Sequence, residues 1–270
     1  MAGEPDWVPP GVDTKRANVA RVYDYWLGGS HNFLADQDVA RAITAVEPKM
    51  REIARANRQF LGRAVRFLAT AGIRQFLDIG SGIPTEGNVH EVAQHADPHA
   101  RVVYADVDQV AIAHSTAILA GNENATIVEA DLREPEKILA DGDVRRLIDF
   151  GQPAGLLLMV VLHFIADAED PWRIVARLRD ALAPGSYLVL GHATHEGRPA
   201  VAHATEKVYN RSVSTELHLR SRAEIQRFFD GFELVDPGLV YVPLWRPDSP
   251  ADVPSDPSQF GCLVGVGRKP

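Results

Sequence analysis

The feature that most constrains the fold is a regular alternation of short apolar runs with helical patterns after residue 74. The apolar runs, rich in β-branched residues, lie at 75–80, 102–106, 126–130, 155–162 and 186–191. The helical patterns between them lie near 86–96, 108–120, 134–148 and 168–183. Strands that alternate with helices predict a parallel sheet with right-handed crossover connections.

The two ends of the chain depart from this alternation. Helical patterns cover 14–27, 34–46 and a long amphipathic stretch between Pro48 and Gly72. Near the other end, helical patterns at 199–210 and 221–230 precede apolar runs at 232–245 and 260–267. Two apolar runs with no helix between them predict antiparallel strands.

These patterns predict an α/β fold with a Rossmann-like, doubly wound sheet of seven strands, mostly parallel, whose last strand is antiparallel. We expect residues 1–72 to form an N-terminal helical cap and residues 73–270 to form the sheet domain. Ligands of open parallel sheets bind at the carboxyl ends of the strands, so the residues that follow each strand are the candidates for a functional site.

Charge and cysteine content exclude several classes of protein. The formal net charge of -8 leaves no broad basic field, so nucleic acid is not an expected partner. Apolar runs stay well short of a membrane span and the first residues do not resemble a signal peptide, so no membrane association is expected. The single cysteine, Cys262, permits no intrachain disulfide and no multi-thiolate metal site. We expect a cytoplasmic protein without a bound metal.

Three glycines follow the first predicted strand in the stretch FLDIGSGIPTEGN, residues 76–88. A phosphate-binding P-loop continues with Lys and then Ser or Thr, whereas asparagine and valine follow Gly87, which argues against ATP hydrolysis. A dinucleotide loop fits in part. Thr85 stands in place of its third glycine, and the next acid at a strand end, Asp106, lies 26 residues beyond Gly80.

An acid lies at or just beyond the end of each of the first three predicted strands. These acids are Asp78, Asp106 (followed by Asp108) and Asp131. Three carboxylates in one crevice would repel a pyrophosphate, but they suit the sulfonium and ammonium groups of S-adenosylmethionine (SAM), its ribose hydroxyls and its adenine amine. The charge pattern therefore favours SAM, and an NAD-dependent oxidoreductase is the alternative from another enzyme class.

The glycine loop, VVYADVD (102–108) and EADLREP (129–135) resemble the first three motifs of class I SAM-dependent methyltransferases. A narrower resemblance extends over nearly the whole chain. RVYDYWLGGSHNF (21–33), NRQFLGRAVRFLA (57–69) and GLVYVPLWRPD (238–248) are similar to a bacterial branch of S-adenosyl methyltransferases whose substrate is unassigned.

This resemblance implies how the methionine and ribose parts of SAM are bound. Gly80, Ser81 and Gly82 would let the backbone approach the methionine part, and Asp78 would orient its ammonium group. Asp106 would accept hydrogen bonds from both ribose hydroxyls. Asp108 is the alternative ribose ligand, because no proline or serine follows the second acid.

The resemblance also implies an adenine site and a lid. Val107 would pack on one face of the adenine, Asp131 would accept a hydrogen bond from its amine, and Leu132 would donate a backbone N–H to the ring. In the first helix, Tyr25 is the aromatic residue chosen to close over the cofactor; a core position is the alternative.

Three histidines follow the fourth and fifth predicted strands. His163 lies in MVVLHFIAD, and His192 and His195 lie in LGHATHEG. Each is a candidate general base because imidazole titrates near neutral pH, and each could instead be a hydrogen-bonded part of the wall. In methyl transfer the methyl group is already activated, so holding the nucleophile in line can supply most of the acceleration, and the lack of a catalytic signature does not argue for or against an enzyme. A SAM-binding sensor without catalysis therefore stays open.

The methyl acceptor is expected to be a small molecule that presents an oxygen, nitrogen or carbon nucleophile. The fourth strand is not followed by Asp or Asn with Pro-Pro and an aromatic residue, the pattern associated with methylation of nucleobase amino groups. Cys262 lies in the last predicted strand, outside the loop that carries the nucleophile of cytosine-C5 enzymes. Both observations, with the acidic charge, argue against a nucleic-acid acceptor.

Overall fold

A computed structural model describes residues 8–85 and 87–270, and its centre is a sheet of eight strands. The strands are β1 (Gln75–Ile79), β2 (Arg101–Asp106), β3 (Ala125–Glu129), β4 (Gly155–Met159), β5 (Tyr187–Ala193), β6 (Glu233–Leu234), β7 (Val240–Tyr241) and β8 (Cys262–Arg268). Their order is β3-β2-β1-β4-β5-β8-β6, and β7 also pairs with β8. The first five strands are parallel to one another, and β8 is antiparallel to β5.

Helices cover both faces of this sheet. They are α1 (Val19–Leu27), α2 (Leu34–Val46), α3 (Met50–Thr70), α4 (Val89–Ala96), α5 (Gln109–Ile118), α6 (Pro135–Ala140), α7 (Gly142–Leu147), α8 (Pro171–Ala181), α9 (Pro199–Ser212) and α10 (Arg222–Gln226). The α/β class, the mostly parallel sheet and the antiparallel last strand are therefore confirmed. Within the described ranges, no helix has both the length and the apolar character that a membrane span requires.

The prediction of seven strands is wrong because the apolar run at 232–245 does not form one strand. It divides into β6 and β7, which both pair with β8. Pro237 and Gly238 lie between them. Proline has no N–H for the ladder, and Gly238 adopts a φ of +83°, so the chain turns there.

The helical pattern at 134–148 also divides in two, into α6 and α7. Asp141 lies at the break, where its side chain accepts hydrogen bonds from the backbone N–H groups of Asp143 and Val144. An aspartate in this position starts a new helix instead of continuing the old one. The first helix begins at Val19, later than the pattern indicated, because the side chain of Asn18 caps it by accepting a hydrogen bond from the Ala20 N–H.

The helices of the expected cap pack in two different ways. Buried side chains of α3, including Phe60 and Leu68, share one hydrophobic core with the sheet. Those of α1 and α2, including Trp26 and Ile43, form a separate cluster with Tyr209 of α9. Consequently α1 and α2 pack with α9 beside the edge of the sheet where the parallel strands end. The division of the chain at residue 72 stays a prediction.

The close packing of α3 on β4 can be tested at Gly155. A Cβ there would lie 2.8 Å from Leu68 Cδ2 and 2.9 Å from Phe76 Cδ1, so Gly155→Ala should lower the free energy of unfolding by about 1–3 kcal/mol. Gly62→Ala within α3 is the control. Its nearest neighbour is Arg66 Nη1 at 3.6 Å, and helix propensity should raise stability by up to about 1 kcal/mol. Denaturant unfolding measures both, and an unchanged stability for Gly155→Ala would contradict this packing.

Candidate active site

A cavity of about 310 Å³ lies where the parallel strands end. The loops that follow β1, β2, β3 and β4 form one side, and α1, α3 and α9 contribute to the other sides. The strand order reverses between β1 and β4, because β2 and β3 lie on one side of β1 while β4 and β5 lie on the other. Such a reversal opens a crevice, and this is the usual ligand site of an open parallel sheet.

Asp106, the last residue of β2, determines the conformation of the loops around it. Its Oδ2 accepts a hydrogen bond from the Gly82 N–H at 2.7 Å, and its Oδ1 accepts from the N–H groups of Val107 and Asp108 at 2.8 and 2.9 Å. Burial raises the pKa of this carboxyl despite these hydrogen bonds. The carboxylate therefore joins the glycine loop after β1 to the turn after β2.

Asp108 has a different role, although it also lines the cavity. It precedes α5, and its Oδ1 accepts a hydrogen bond from the Ala111 N–H at 2.9 Å. This is the geometry of a helix N-cap. Burial raises the pKa of the Asp108 carboxyl as well.

Asp78 is only 3% exposed, lines the cavity and has no hydrogen-bond partner for its carboxylate among the described residues. Burial raises its pKa to about 7; the Arg58 guanidinium opposes this shift and the neighbouring Asp106 adds to it. A buried carboxylate without a partner is costly, and a ligand cation would satisfy it.

Arg58 of α3 lines the same part of the cavity and was missed by sequence analysis. One of its terminal nitrogens, Nη2, donates to Thr85 Oγ1 at 2.8 Å and to Asn88 Oδ1 at 3.2 Å. Among the residues that the structure describes, its Nε and the hydroxyl of Ser81 are buried without a partner. Cation, carboxylate and unpartnered polar atoms together fit an amino-acid group, which carries both an ammonium and a carboxylate.

Two glycines of the loop meet different structural requirements, close packing at Gly80 and backbone conformation at Gly82. Gly80 has a φ of +73°, and a Cβ there would lie 2.4 Å from Cγ2 of Val161, so its backbone lies against the loop after β4. Gly82 has a φ of +67° with open space around it. Its conformation alone requires glycine, and the space leaves room for a ligand.

The side of the cavity near β2 and β3 contains the residues expected around an adenine. Val107 lines the cavity and is 55% exposed, so its apolar side chain is accessible to a ligand. The side chain of Asp131 accepts hydrogen bonds from the backbone N–H and the guanidinium of Arg133. Leu132 is buried in the core. Its backbone N–H donates no hydrogen bond to another described residue.

Tyr25 lies outside the described cavity lining, with its ring 5.1 Å from the guanidinium carbon of Arg51. Tyr23 lines the cavity instead, and its hydroxyl donates to the Ala54 carbonyl at 3.1 Å. Burial raises the pKa of Tyr23 to about 12. Helical spacing could have identified it, because Tyr23 shares one face of α1 with Val19 and Trp26.

Of the three candidate histidines, only His163 lies in the cavity wall. Its Nδ1 accepts a long hydrogen bond of 3.4 Å from the Ala193 N–H, and Nε2 has no partner among the described residues. Burial lowers its pKa well below the usual value, and the nearby His192 ring and Arg220 add to this shift. The ring is therefore neutral, and with Nδ1 accepting, its hydrogen is on Nε2.

The other two histidines lie outside the described lining. His192 is fully buried, with Nε2 2.9 Å from Arg220 Nη1 and Nδ1 2.7 Å from the Ala193 carbonyl oxygen. Burial lowers its pKa to about 3. His195 lies near the ring of His203, with 5.8 Å between the ring centroids. His192 has no free nitrogen to act as a base.

Two features that sequence analysis missed shape the loop after β4. Val160 adopts a φ of +50°, a strained conformation for a β-branched residue, and it lines the cavity. Arg220 is buried and donates to the carbonyls of Leu162 and Ile165 at 3.0 and 2.7 Å, and to Asp167 Oδ1 at 2.7 Å. These contacts hold the loop that carries His163.

Comparison with known proteins agrees with this geometry. Residues 5–270 match the S-adenosyl methyltransferase family. The crystal structure of a proposed methyltransferase from Thermobifida fusca YX is 45% identical, with 98% of this chain and 99% of that chain covered and a TM-score of 0.92. A DUF574 family protein from Streptomyces avermitilis MA-4680 is 39% identical, with 96% and 99% covered and the same TM-score of 0.92.

A more distant structure shares the fold. It is the N-methyltransferase NodS from Bradyrhizobium japonicum WM9 in complex with S-adenosyl-L-homocysteine. Its identity is 15%, with 87% of this chain and 97% of that chain covered and a TM-score of 0.51. No curated protein matches the sequence.

The fold and the match define a SAM-dependent methyltransferase of class I. The chain belongs to the S-adenosyl methyltransferase family, and its cofactor is SAM. The predicted family and cofactor are thus confirmed, and the NAD-dependent alternative no longer applies. The acid-rich crevice and the unpartnered Asp78 beside Arg58 fit this cofactor, because SAM carries a sulfonium, an ammonium and a carboxylate.

The unusual pKa of Asp78 predicts a pH dependence of stability. Its pKa rises from 3.8 to about 7 on folding, so the folded protein retains a proton that the unfolded chain loses. Its contribution to stability therefore falls as the pH rises from about 4 to 7. Between pH 5 and pH 7.5, the unfolding free energy of the wild type should fall by about 1–3 kcal/mol more than that of Asp78→Asn.

Denaturant unfolding at the two pH values measures this difference in the absence of cofactor. Asp38→Asn is the control, because that carboxylate is exposed. An identical pH slope for the wild type and Asp78→Asn would contradict the burial argument.

Proposed function

We propose that the protein transfers the methyl group of SAM to an oxygen, nitrogen or carbon nucleophile of a small molecule held in the same cavity. The observation that supports this proposal is the lining of the cavity, which runs from the glycine loop to α9 beneath α1. Its volume of about 310 Å³ is in the range of small-molecule sites. The acidic net charge of -8 also favours a small molecule over nucleic acid as the acceptor.

The amino-acid part of SAM is assigned to the end of the cavity near α3. Asp78 would bind the ammonium group, and Arg58 would bind the carboxylate. The backbone at Gly80, Ser81 and Gly82 would lie along the methionine chain. This assignment gives the Asp78 carboxylate and the Arg58 guanidinium each an opposite charge on the ligand.

The ribose and adenine are assigned to the ends of β2 and β3. The Asp106 carboxylate would accept a ribose hydroxyl at Oδ2, because its three backbone hydrogen bonds leave about one of its four lone pairs free. Asp108, whose carboxylate accepts the N-cap hydrogen bond of α5, stays the alternative ribose ligand. Val107 would pack on the adenine, Asp131 would accept from its amine, and Leu132 would donate its free backbone N–H.

The chain contributes positioning and exclusion of water. Bound SAM supplies a methyl group that its sulfonium already activates, so alignment of the acceptor can supply most of the acceleration. Tyr23 and other residues of α1 line the cavity, and a lid formed by them would keep water from the reacting atoms. His163 would donate a hydrogen bond from Nε2 to an oxygen or nitrogen atom of the methyl acceptor. The proposed role of His163 is therefore to orient the methyl acceptor. The proposed lid residue is Tyr23 in place of Tyr25.

A cytoplasmic location is part of the same proposal. Cys262 is free and buried, and burial raises its pKa to about 12, which makes the thiol unreactive. A protein with this single thiol has no need of an oxidising compartment.

Titration calorimetry with two product analogues tests the assignment of the amino-acid part. S-adenosylhomocysteine contains that part and 5′-methylthioadenosine lacks it. Arg58→Gln and Asp78→Asn should each weaken S-adenosylhomocysteine binding by about 1.5–3 kcal/mol, roughly ten- to hundredfold, because each removes a charge-assisted hydrogen bond. Binding of 5′-methylthioadenosine should change much less.

Arg66→Gln is the matched control, since Arg66 lies on the same helix but pairs with Asp248 at the surface. Equal losses for both analogues in the Arg58 and Asp78 variants would contradict the assignment. Failure of the wild type to bind S-adenosylhomocysteine at all would contradict the proposed function.

A further inference from the structure

The part of the cavity away from the glycine loop is here called the acceptor chamber. It is lined by Trp26, Ile43, Phe164, Tyr209 and Leu217. These residues belong to one hydrophobic cluster that joins the first two helices to α9 and the segment after it. The chamber is thus built by elements that lie outside the ends of β2 and β3, where the nucleoside is assigned.

The walls of the chamber are apolar and contain flat rings. The rings of Phe164 and Tyr209 stack with 5.8 Å between centroids and 30° between planes. The only polar atom of the Trp26 ring, Nε1, donates to Thr44 Oγ1 at 3.2 Å, so the indole offers the chamber an apolar surface. Such walls favour a ligand with a flat ring, because aromatic rings bury much apolar area and stack on one another.

The charged side chains at the edge of the chamber already have partners. Arg198 Nη1 pairs with Glu47 Oε2 at 2.8 Å and also donates to the Gln259 carbonyl. Glu196 accepts a hydrogen bond from the Arg222 N–H at 2.6 Å. An ionic acceptor would therefore enter an apolar chamber without a free opposite charge among the described residues, at a high desolvation cost.

Three polar atoms of the wall have no hydrogen-bond partner among the described residues. Two belong to buried side chains, the Tyr209 hydroxyl and His163 Nε2, and the third is Thr205 Oγ1, itself buried. Thr205 and Tyr209 lie one turn apart on α9 and so share one face. His163 is two residues from Val161, the residue that lies against Gly80. A hydroxyl group on the ligand could hydrogen-bond with these atoms.

We infer that the acceptor chamber binds an uncharged ring molecule that carries a hydroxyl group. The ring lies between α9 and the first two helices, and the hydroxyl hydrogen-bonds with Tyr209 and His163. This inference rests on the proposed function, because it concerns the molecule that is bound beside the methyl donor.

The test uses protein saturated with S-adenosylhomocysteine and four probes that share one ring system: 2-naphthol, 2-naphthoate, 2-naphthylmethylammonium and unsubstituted naphthalene. Calorimetry should show 2-naphthol binding at least about tenfold more tightly than either ion, because neither ion finds a free opposite charge. Tyr209→Phe should weaken 2-naphthol binding by about three- to tenfold and leave naphthalene binding unchanged, since only a hydrogen bond is lost.

Two substitutions on α9 locate the binding. Ala202 lines the cavity and Ala204 is exposed on the other side of the helix. Ala202→Trp should abolish 2-naphthol binding while S-adenosylhomocysteine still binds, and Ala204→Trp should change neither. Unfolding measurements verify that both variants are folded.

The possible failures are distinguishable. If S-adenosylhomocysteine does not bind the wild type, the proposed function fails. If it binds but 2-naphthol does not, or either ion binds as tightly as 2-naphthol, the inference is overturned and the proposed function stands. If Ala202→Trp and Ala204→Trp bind 2-naphthol equally well, the proposed binding of the ring in the acceptor chamber is overturned.

Discussion

The site depends on one buried carboxylate that gathers three backbone N–H groups. Asp106 holds the glycine loop through Gly82, and it turns the chain after β2 toward α5 through the N–H groups of Val107 and Asp108. With the loop in this position, Gly80 lies against Val161, which connects the cofactor end of the cavity with the loop after β4. The close approach of these loops needs both the hydrogen bonds and the missing Cβ.

A second constraint is the cost of burying charge where a ligand will later bind. Asp78 is buried and has no hydrogen-bond partner in the described part of the chain, and its raised pKa of about 7 reflects that burial. The Arg58 guanidinium offsets part of the cost. We expect a bound ammonium and carboxylate to offset more of it, and this gain would contribute to the affinity through which the cofactor stabilises the folded protein. The buried carboxylate that lowers the stability of the ligand-free protein is thus the same group that we expect to bind the ammonium of SAM.

The strands and the glycine loop could be predicted from sequence because their signals are local. The expected strand at 75–80, for example, differs from the observed β1 by one residue. The errors arise from contacts between distant residues. The division of the run at 232–245 into β6 and β7 depends on pairing with β8, which lies later in the chain, so the run itself does not indicate it. The burial of His192 against Arg220 depends on residues 28 positions apart, and Arg58 meets Asp78 only after α3 packs on the sheet.

Measurements of S-adenosylhomocysteine binding and of stability for Asp106→Ala and Asp108→Ala separate the roles of these two carboxylates. We expect Asp106 to organise the loops and to bind the ribose, whereas Asp108 caps α5. Calorimetry should show a loss of about 1.5–3 kcal/mol in binding for Asp106→Ala. Asp108→Ala should mainly lower the unfolding free energy, by about 1 kcal/mol. A binding loss for Asp108→Ala that equals or exceeds that of Asp106→Ala would contradict the account.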